Sequence, residues 1–364
     1  MGKHYTPEAQ KSDNRPSRMD IRNMALVMAA LSVFVIAMIA SYSGAFAKPT
    51  LHHLSVAVAG PQQLVDGVRG QDTLSVTQVA DAAAAQEQVY QRKADAAFVL
   101  GQPGQLDIYV AGGGGRSVAT AAETVGRGIA ANTGLTAEVT DVAPTTAADP
   151  QGTVVFYAVI FLSIGASVGA AIFGRMMGSV RKPATLAWRT LSLTVSSAML
   201  AAGVTLYVDL VLGALTGHTW QVFGAFFLYA MAVGGAVTGV AAAFGTAASA
   251  ALTAFLVIIG NAAAAGPVGK PLLTGFYTTF NAIVPQGSGV ALLRSVEYFG
   301  GNGALTPLVT LAAWAAAGFA LAAGAILVRS GSVGWTLNYA AVQDNSQLEP
   351  SGTVVRSRVL LPID

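Results

Sequence analysis

The sequence predicts a polytopic α-helical membrane protein. Six transmembrane helices are expected, one set apart from five, with an extracytoplasmic α/β domain between the first and the second. Three observations carry this reading. The chain of 364 residues is 53% hydrophobic and only 10% charged, whereas about a quarter of a soluble domain's residues are charged. The apolar residues gather in long runs, and about 20 apolar residues in a helix cross a hydrocarbon core roughly 30 Å thick. One run, 24–47, stands alone; a polar segment, 48–150, separates it from five more within 151–328.

The flanking charges orient the first run. The tail 1–23 carries Lys3, Lys11, Arg15, Arg18 and Arg22 against Glu8, Asp13 and Asp20, and basic residues beside a span favour the cytoplasmic side. A cleaved signal peptide is the rival reading, with an A-x-A site at Ala45-Phe46-Ala47. The apolar stretch is longer than a signal core and its tail is long, which favours retention. Arg175, Arg181 and Lys182 follow the second run; a return to the cytoplasm places them inside, so two charge clusters agree. The tail 329–364 is then also cytoplasmic. The expected product is a multi-pass plasma-membrane protein whose only structural partner read from composition is the lipid bilayer.

Segment 48–150 reads as alternating strands and helices. Strands are expected at 54–59, 74–76, 96–100, 106–110 and 135–139, with helices at 62–68, 79–92 and 118–131. Gly60-Pro61 and the turn residues Gly101, Pro103 and Gly104 punctuate them. This alternation favours a mixed α/β layer. The run Gly112 to Gly115 lacks the Gly-x-x-x-x-Gly-Lys-Ser/Thr pattern and reads as a flexible turn rather than a phosphate loop. His52 and His53 are adjacent, so in an extended chain they point to opposite faces and make a poor metal pair.

The later spans are expected at 154–176, 186–215, 222–243, 248–262 and 305–328. Gly165-x-x-x-Gly169 and Gly235-x-x-x-Gly239 are small-x-x-x-small pairs suited to helix packing, either within one chain or across a dimer. Few ionisable residues fall within the runs. Asp209 lies near the outer end of the third span and lines a polar path, pairs with Arg294 or is hydrated at the headgroups. Arg189 is expected to snorkel. The stretch 261–304 is interrupted by Gly266-Pro267, Gly269-Lys270-Pro271 and Pro285-Gln-Gly-Ser-Gly289. It reads as an outer re-entrant or interfacial segment shielded by protein. Within it, Arg294 and Glu297 are three apart and able to pair on one helix face; with Pro285 and Asp209 they are the candidates for a path or outer gate.

Cysteine is absent, which excludes disulfides and thiolate chemistry. No metal cluster, nucleophile–base pair or basic patch with interleaved aromatics occurs, so neither a cofactor, an enzymatic site nor a nucleic-acid interface is expected.

Three local patterns resemble a known family. They are His53-Leu-Ser-Val-Ala-Val-Ala-Gly60 after the first span; Asp141-Val-Ala-Pro144 with Asp149-Pro-Gln-Gly152 before the second; and Gly260-Asn261, Pro285-Gln-Gly-Ser-Gly289 and Leu292-Leu-Arg-Ser295 with Tyr298-Phe299 before the last. With the 1+5 layout they resemble the ABC-2 type membrane permeases, closest to the YhgE/Pip and DUF3533 proteins. The resemblance covers about residues 20–330. It implies an exporter of an amphipathic or hydrophobic substrate that works as a homodimer with a separate nucleotide-binding subunit. Arg175, Arg181 and Lys182 would then be the contact for that ATPase. The same branch also includes envelope scaffolds, receptors and secretion accessories that act through the outer domain.

Overall fold

A computed structural model of the chain describes residues 17–178, 180 and 182–346, with side chains up to Arg329. Lys3, Glu8, Lys11, Asp13, Arg15, Arg181 and the tail 347–364 lie outside the described residues. The first helix, α1 (Arg18–Phe46), starts at a capping box: Asp20 N–H donates to Ser17 Oγ at 3.1 Å, and Ser17 N–H to the Asp20 carboxylate at 2.9 Å. Most of its apolar surface touches no protein. Only its last turns pack inward, through buried Ser41 and Ala45 with Tyr42 and Phe46.

The segment after α1 forms a five-stranded sheet with helices on both faces. In chain order it comprises β1 (Leu54–Ala59), α2 (Gln62–Arg69), β2 (Leu74–Gln78), α3 (Ala82–Tyr90), β3 (Ala96–Val99), β4 (Gln105–Val110), α4 (Arg116–Thr133) and β5 (Thr136–Asp141). The strand order is β2-β1-β3-β4-β5, parallel except for the antiparallel β3–β4 hairpin. Strands buried on both faces read as continuous apolar runs, and alternate residues serve opposite faces. Leu54, Val56, Val58, Phe98, Leu106 and Ile108 pack under α2 and α4, while Ala57, Ala59, Ala97, Val99 and Tyr109 pack under α3.

The bundle follows. Asp149, itself buried, caps α5 (Val154–Met177) by accepting from Thr153 N–H at 3.0 Å and Val154 N–H at 2.8 Å. Pro183 opens α6 (Pro183–Leu206), where its missing N–H costs nothing; the helix ends in a π-helical turn, Tyr207–Val211. Next comes α7 (Thr219–Phe244), the hub of the bundle, which packs on α5, α6, α8 (Thr246–Phe255), α10 (Pro285–Tyr298) and α11 (Leu305–Ser346). A short α9 (Gly275–Ile283) precedes α10.

Among the described residues five helices are long and apolar enough to cross a membrane: α1, α5, α6 with its extension to Val211, α7, and the Leu305–Arg329 part of α11. The structure differs here from the expected six. The fifth expected span, 248–262, is a short apolar helix, α8 running into the π-helical turn Leu256–Gly260. At about 1.5 Å per residue it covers roughly 22 Å, short of a 30 Å core. Buried non-helical chain, 263–266, continues from it towards the sheet. At the end of the bundle away from the sheet, Arg329 donates to Val180 O at 3.2 Å and Ala242 O at 2.7 Å.

The small-residue pairs act unequally. A Cβ on Gly239 would lie 2.1 Å from Gly318 O, and one on Gly235 3.5 Å from Ala315 O, so this pair brings α7 against α11 within one chain. Gly165 faces Leu200 of α6, whereas a Cβ on Gly169 would meet only Phe173 of its own helix. Gly239→Ala is therefore expected to destabilise the fold by about 1–3 kcal/mol through forced separation of α7 and α11. Gly169→Ala leaves stability unchanged. Thermal unfolding midpoints in detergent check both.

Candidate functional site at the α9–α10 hairpin

The site is built on a helical hairpin that enters the bundle from the sheet side. Pro285 sets the turn: it holds Val284 in extended conformation (ψ 148°), which ends α9, and then starts α10 as its first residue. The tip lies among the spans. Gln286 Nε2 donates to Ser163 Oγ at 3.1 Å and Leu256 O at 3.0 Å, and Trp314 Nε1 donates to Ile283 O at 2.8 Å. Ser163 lies about 14 Å along α5 from Val154, close to half the thickness of a hydrocarbon core. Glycines permit this insertion. A Cβ on Gly287 would lie 2.1 Å from Asn281 O, one on Gly289 2.8 Å from the Tyr229 ring, and one on Gly260 2.5 Å from Gln286 Oε1.

A buried polar cluster surrounds the tip. Ser163, Tyr229, Asn261 and Gln286 are all fully buried. Tyr229 Oη, both amide atoms of Asn261 and Gln286 Oε1 lack hydrogen-bond partners; Tyr229 faces Ser163 and Tyr42 faces Asn261 without closing a bond. The adjoining π-helical turn presents carbonyls to side chains, a geometry common at functional positions. Leu256 O accepts from Gln286, and Ile258 O from Ser41 Oγ at 2.8 Å, which in turn accepts from Tyr277 Oη at 3.2 Å.

At its other end α10 carries the sheet. Buried Arg294 donates to three carbonyls: Gly114 O at 3.1 Å, Ala265 O at 3.3 Å and Gly266 O at 3.0 Å. Burial, and after it the charge of Arg92, lowers its guanidinium to about 10, so it stays protonated at neutral pH. The glycine run is its seat. Gly112 N–H donates to Asp141 Oδ1 at 3.0 Å, Gly113 N–H to Ala143 O at 2.7 Å, and a Cβ on Gly113 would overlap Tyr298. These residues form a packed platform rather than a flexible turn. Arg92, at φ +59°, donates from Nη1 to Ala291 O at 2.9 Å and Ser295 Oγ at 2.6 Å, with its guanidinium 5.0 Å from the centre of the Phe299 ring.

Between sheet and hairpin lies a cavity of about 640 Å³. Arg92, Lys93, Asp95, Lys270 and Arg294 line one part, and Val118, Ala264, Leu273 and Val290 another. Burial raises the Asp95 carboxyl above the usual range, opposed by the Ser55 N–H bond of 3.0 Å and by the Arg92 and Lys270 charges.

Of the expected site residues, the structure brings Arg294 and Pro285 into this hairpin and separates the others. Asp209 does not reach Arg294; it accepts from Thr219 Oγ1 at the α6–α7 connection. Arg294 and Glu297 do not pair, because the guanidinium is spent on carbonyls while Glu297 Oε1 accepts from Gly217 N–H at 3.0 Å and its Oε2 has no partner. Arg189 does not snorkel. It is buried, Nη2 donating to Ala170 O at 3.4 Å, in space left by Gly174. Arg175 and Lys182 are exposed at the far end of the bundle. The sequence reading missed Gln286, Asn261, Arg92 and Lys270; lone polar side chains inside apolar, glycine-rich stretches are the signal that marks the first two.

Compared with known proteins, the chain matches no family profile, no curated protein and no solved structure.

Arg294→Leu strands two buried carbonyls, at Ala265 and Gly266, each costing about 1–3 kcal/mol, and a part-buried one at Gly114. The expected outcome is a clear fall in thermal midpoint together with new protease cleavage in 145–153. Arg294→Lys, which keeps the charge but not the planar fork, is expected to be intermediate. Equal midpoints for the three proteins would contradict this.

Proposed function

We propose that the protein is a plasma-membrane permease of the ABC-2 kind, resembling the YhgE/Pip and DUF3533 proteins. In this reading it exports an amphipathic or hydrophobic substrate with a separate nucleotide-binding subunit, and the resemblance extends to a homodimer. The sheet domain faces outwards and the termini face the cytoplasm, which the basic residues Arg175 and Lys182 at the opposite end of the bundle support.

The observation that carries the reading is the hairpin. A bundle that buries Tyr229 Oη, Asn261 and Gln286 Oε1 without partners holds groups that gain free energy on meeting water or a substrate. The contacts that seat the tip are glycine contacts at Gly260, Gly287 and Gly289, so the hairpin shifts without unlocking interdigitated side chains. Broken helices that meet inside a bundle are a recurring way to build a transport path. The hairpin is thus the outer gate and the cavity above it an exit vestibule. Arg175 and Lys182, with Arg181 between them in the chain, form the docking loop for the ATPase, which supplies the phosphate-binding motif this chain lacks.

A second reading is a non-transporting envelope scaffold or receptor acting through the outer domain. It draws on the firm seating of the sheet by Arg294 and Arg92.

Gln286→Leu separates the two, because it keeps the volume at the tip while removing the half-satisfied amide. Export is expected to fall about tenfold, equivalent to roughly 1.4 kcal/mol in a barrier, measured as amphipaths released by cells carrying each variant. Under the scaffold reading release is unchanged, and an identical release profile in a gene-deleted strain contradicts the permease. Affinity purification of the full chain is expected to retain an ATPase, and Arg175→Glu with Lys182→Glu to lose it.

A further inference from the structure

The cavity between sheet and hairpin has a charge imbalance that its own residues leave unresolved. Four basic side chains, Arg92, Lys93, Lys270 and Arg294, line it with a single carboxylate, Asp95. Among the described residues the ion pairs lie elsewhere, at Arg69–Asp66, Arg116–Asp141 and Arg127–Glu123, so none of the four is neutralised at contact distance. Asp95 gives its carboxylate to Ser55 N–H. Lys270 projects from the 3₁₀ turn Lys270–Leu272 and is exposed. Positive charges gathered in a partly desolvated cleft attract an anion far more strongly than the same charges spread over a surface. Part of the remaining wall is apolar, at Val118, Ala264, Ala265, Leu273 and Val290, and His52, His53, Ser55, Thr278 and Asn281 are its polar side chains. A free anion leaves this wall wet, and a cation meets net repulsion.

We propose that this cavity binds an anionic amphipath, with a phosphate or carboxylate headgroup held between Arg92 and Lys270, the buried charge of Arg294 behind them, and its apolar chain against Leu273, Val290 and Val118. Nη1 of Arg92 is committed to Ala291 and Ser295, which fixes the guanidinium before the ligand arrives and lowers the ordering cost of binding. Lys270 closes on the headgroup as a mobile point charge. The inference rests on the reading of the protein as one that handles amphipaths, and it names their charge. Its test contains no translocation step, so loss of the export reading leaves it standing.

The test is calorimetric titration of the full chain in phosphatidylcholine nanodiscs, with empty nanodiscs as blank. The probes are hexyl phosphate, hexanoate, hexylammonium and inorganic phosphate. Hexyl phosphate and hexanoate are expected to bind, hexylammonium is not, and inorganic phosphate is expected to bind much more weakly than its hexyl ester. Lys270→Gln should weaken hexyl phosphate about fivefold, a typical scale for one charged contact. Asp95→Asn should tighten it by a similar factor, an effect in the opposite direction that misfolding does not produce. The proposal is overturned if hexylammonium binds as well as hexyl phosphate, if both substitutions leave affinity unchanged, or if inorganic phosphate binds as tightly as its ester.

Discussion

One guanidinium ties three parts of this chain together. Arg294 stands near the sheet-side end of α10, and its donors reach the glycine run before α4, through Gly114, and the non-helical passage after the π-helical turn, through Ala265 and Gly266. A planar group with several fixed donors can serve carbonyls that point from different directions. No apolar contact offers the same directional hold on backbone that has no helix or strand of its own. The buried charge has no carboxylate at contact distance; its stability rests on the carbonyl dipoles and on the more distant Asp149.

That hold explains how a short helix fits into a membrane bundle. Bare backbone inside a bilayer is tolerated only where protein satisfies it. The 263–266 passage meets that requirement with side chains: Arg294 serves Ala265 and Gly266, and Asn281 Nδ2 serves Ala263 O at 2.8 Å. Gly269 N–H, farther on, finds Ser117 Oγ at 3.1 Å. The helix can therefore stop early, which leaves space at mid-depth for the hairpin tip and its polar cluster. Sheet, passage and hairpin then share one core, since Ala262, Leu272, Leu273 and Tyr277 pack with β1, β4 and α4.

Local chemistry made much of this legible in the sequence. The strands of the sheet lie within a few residues of the positions set by Gly60-Pro61 and the Gly101–Gly104 turn, because turn residues and two-sided apolar strands are local signals. Pro285-Gln-Gly-Ser-Gly289 read as an interruption; Pro285 does end α9, but these residues form the first turns of α10. What stayed hidden depends on long-range geometry. Arg294 finds Gly114 across 180 positions, and a charge alone does not name a distant carbonyl. The sequence pairing of Arg294 with Glu297 followed helix spacing, but both side chains meet better partners elsewhere. Arg189 is buried because Gly174 of a neighbouring helix leaves room, which a hydropathy window does not register. The fifth run, 248–262, counted as a span because it is apolar throughout, although its helix is too short to cross a full core.

Double electron–electron resonance on this cysteine-free chain tests the central claim most directly. Spin labels at Thr124 on α4 and Trp220 at the start of α7 are both exposed and report the position of the sheet on the bundle. The account predicts one narrow distance distribution in the otherwise native chain and a broad or shifted one after Arg294→Leu. An identical narrow distribution in both would contradict it, since the sheet would then be held without the interaction on which the rest depends.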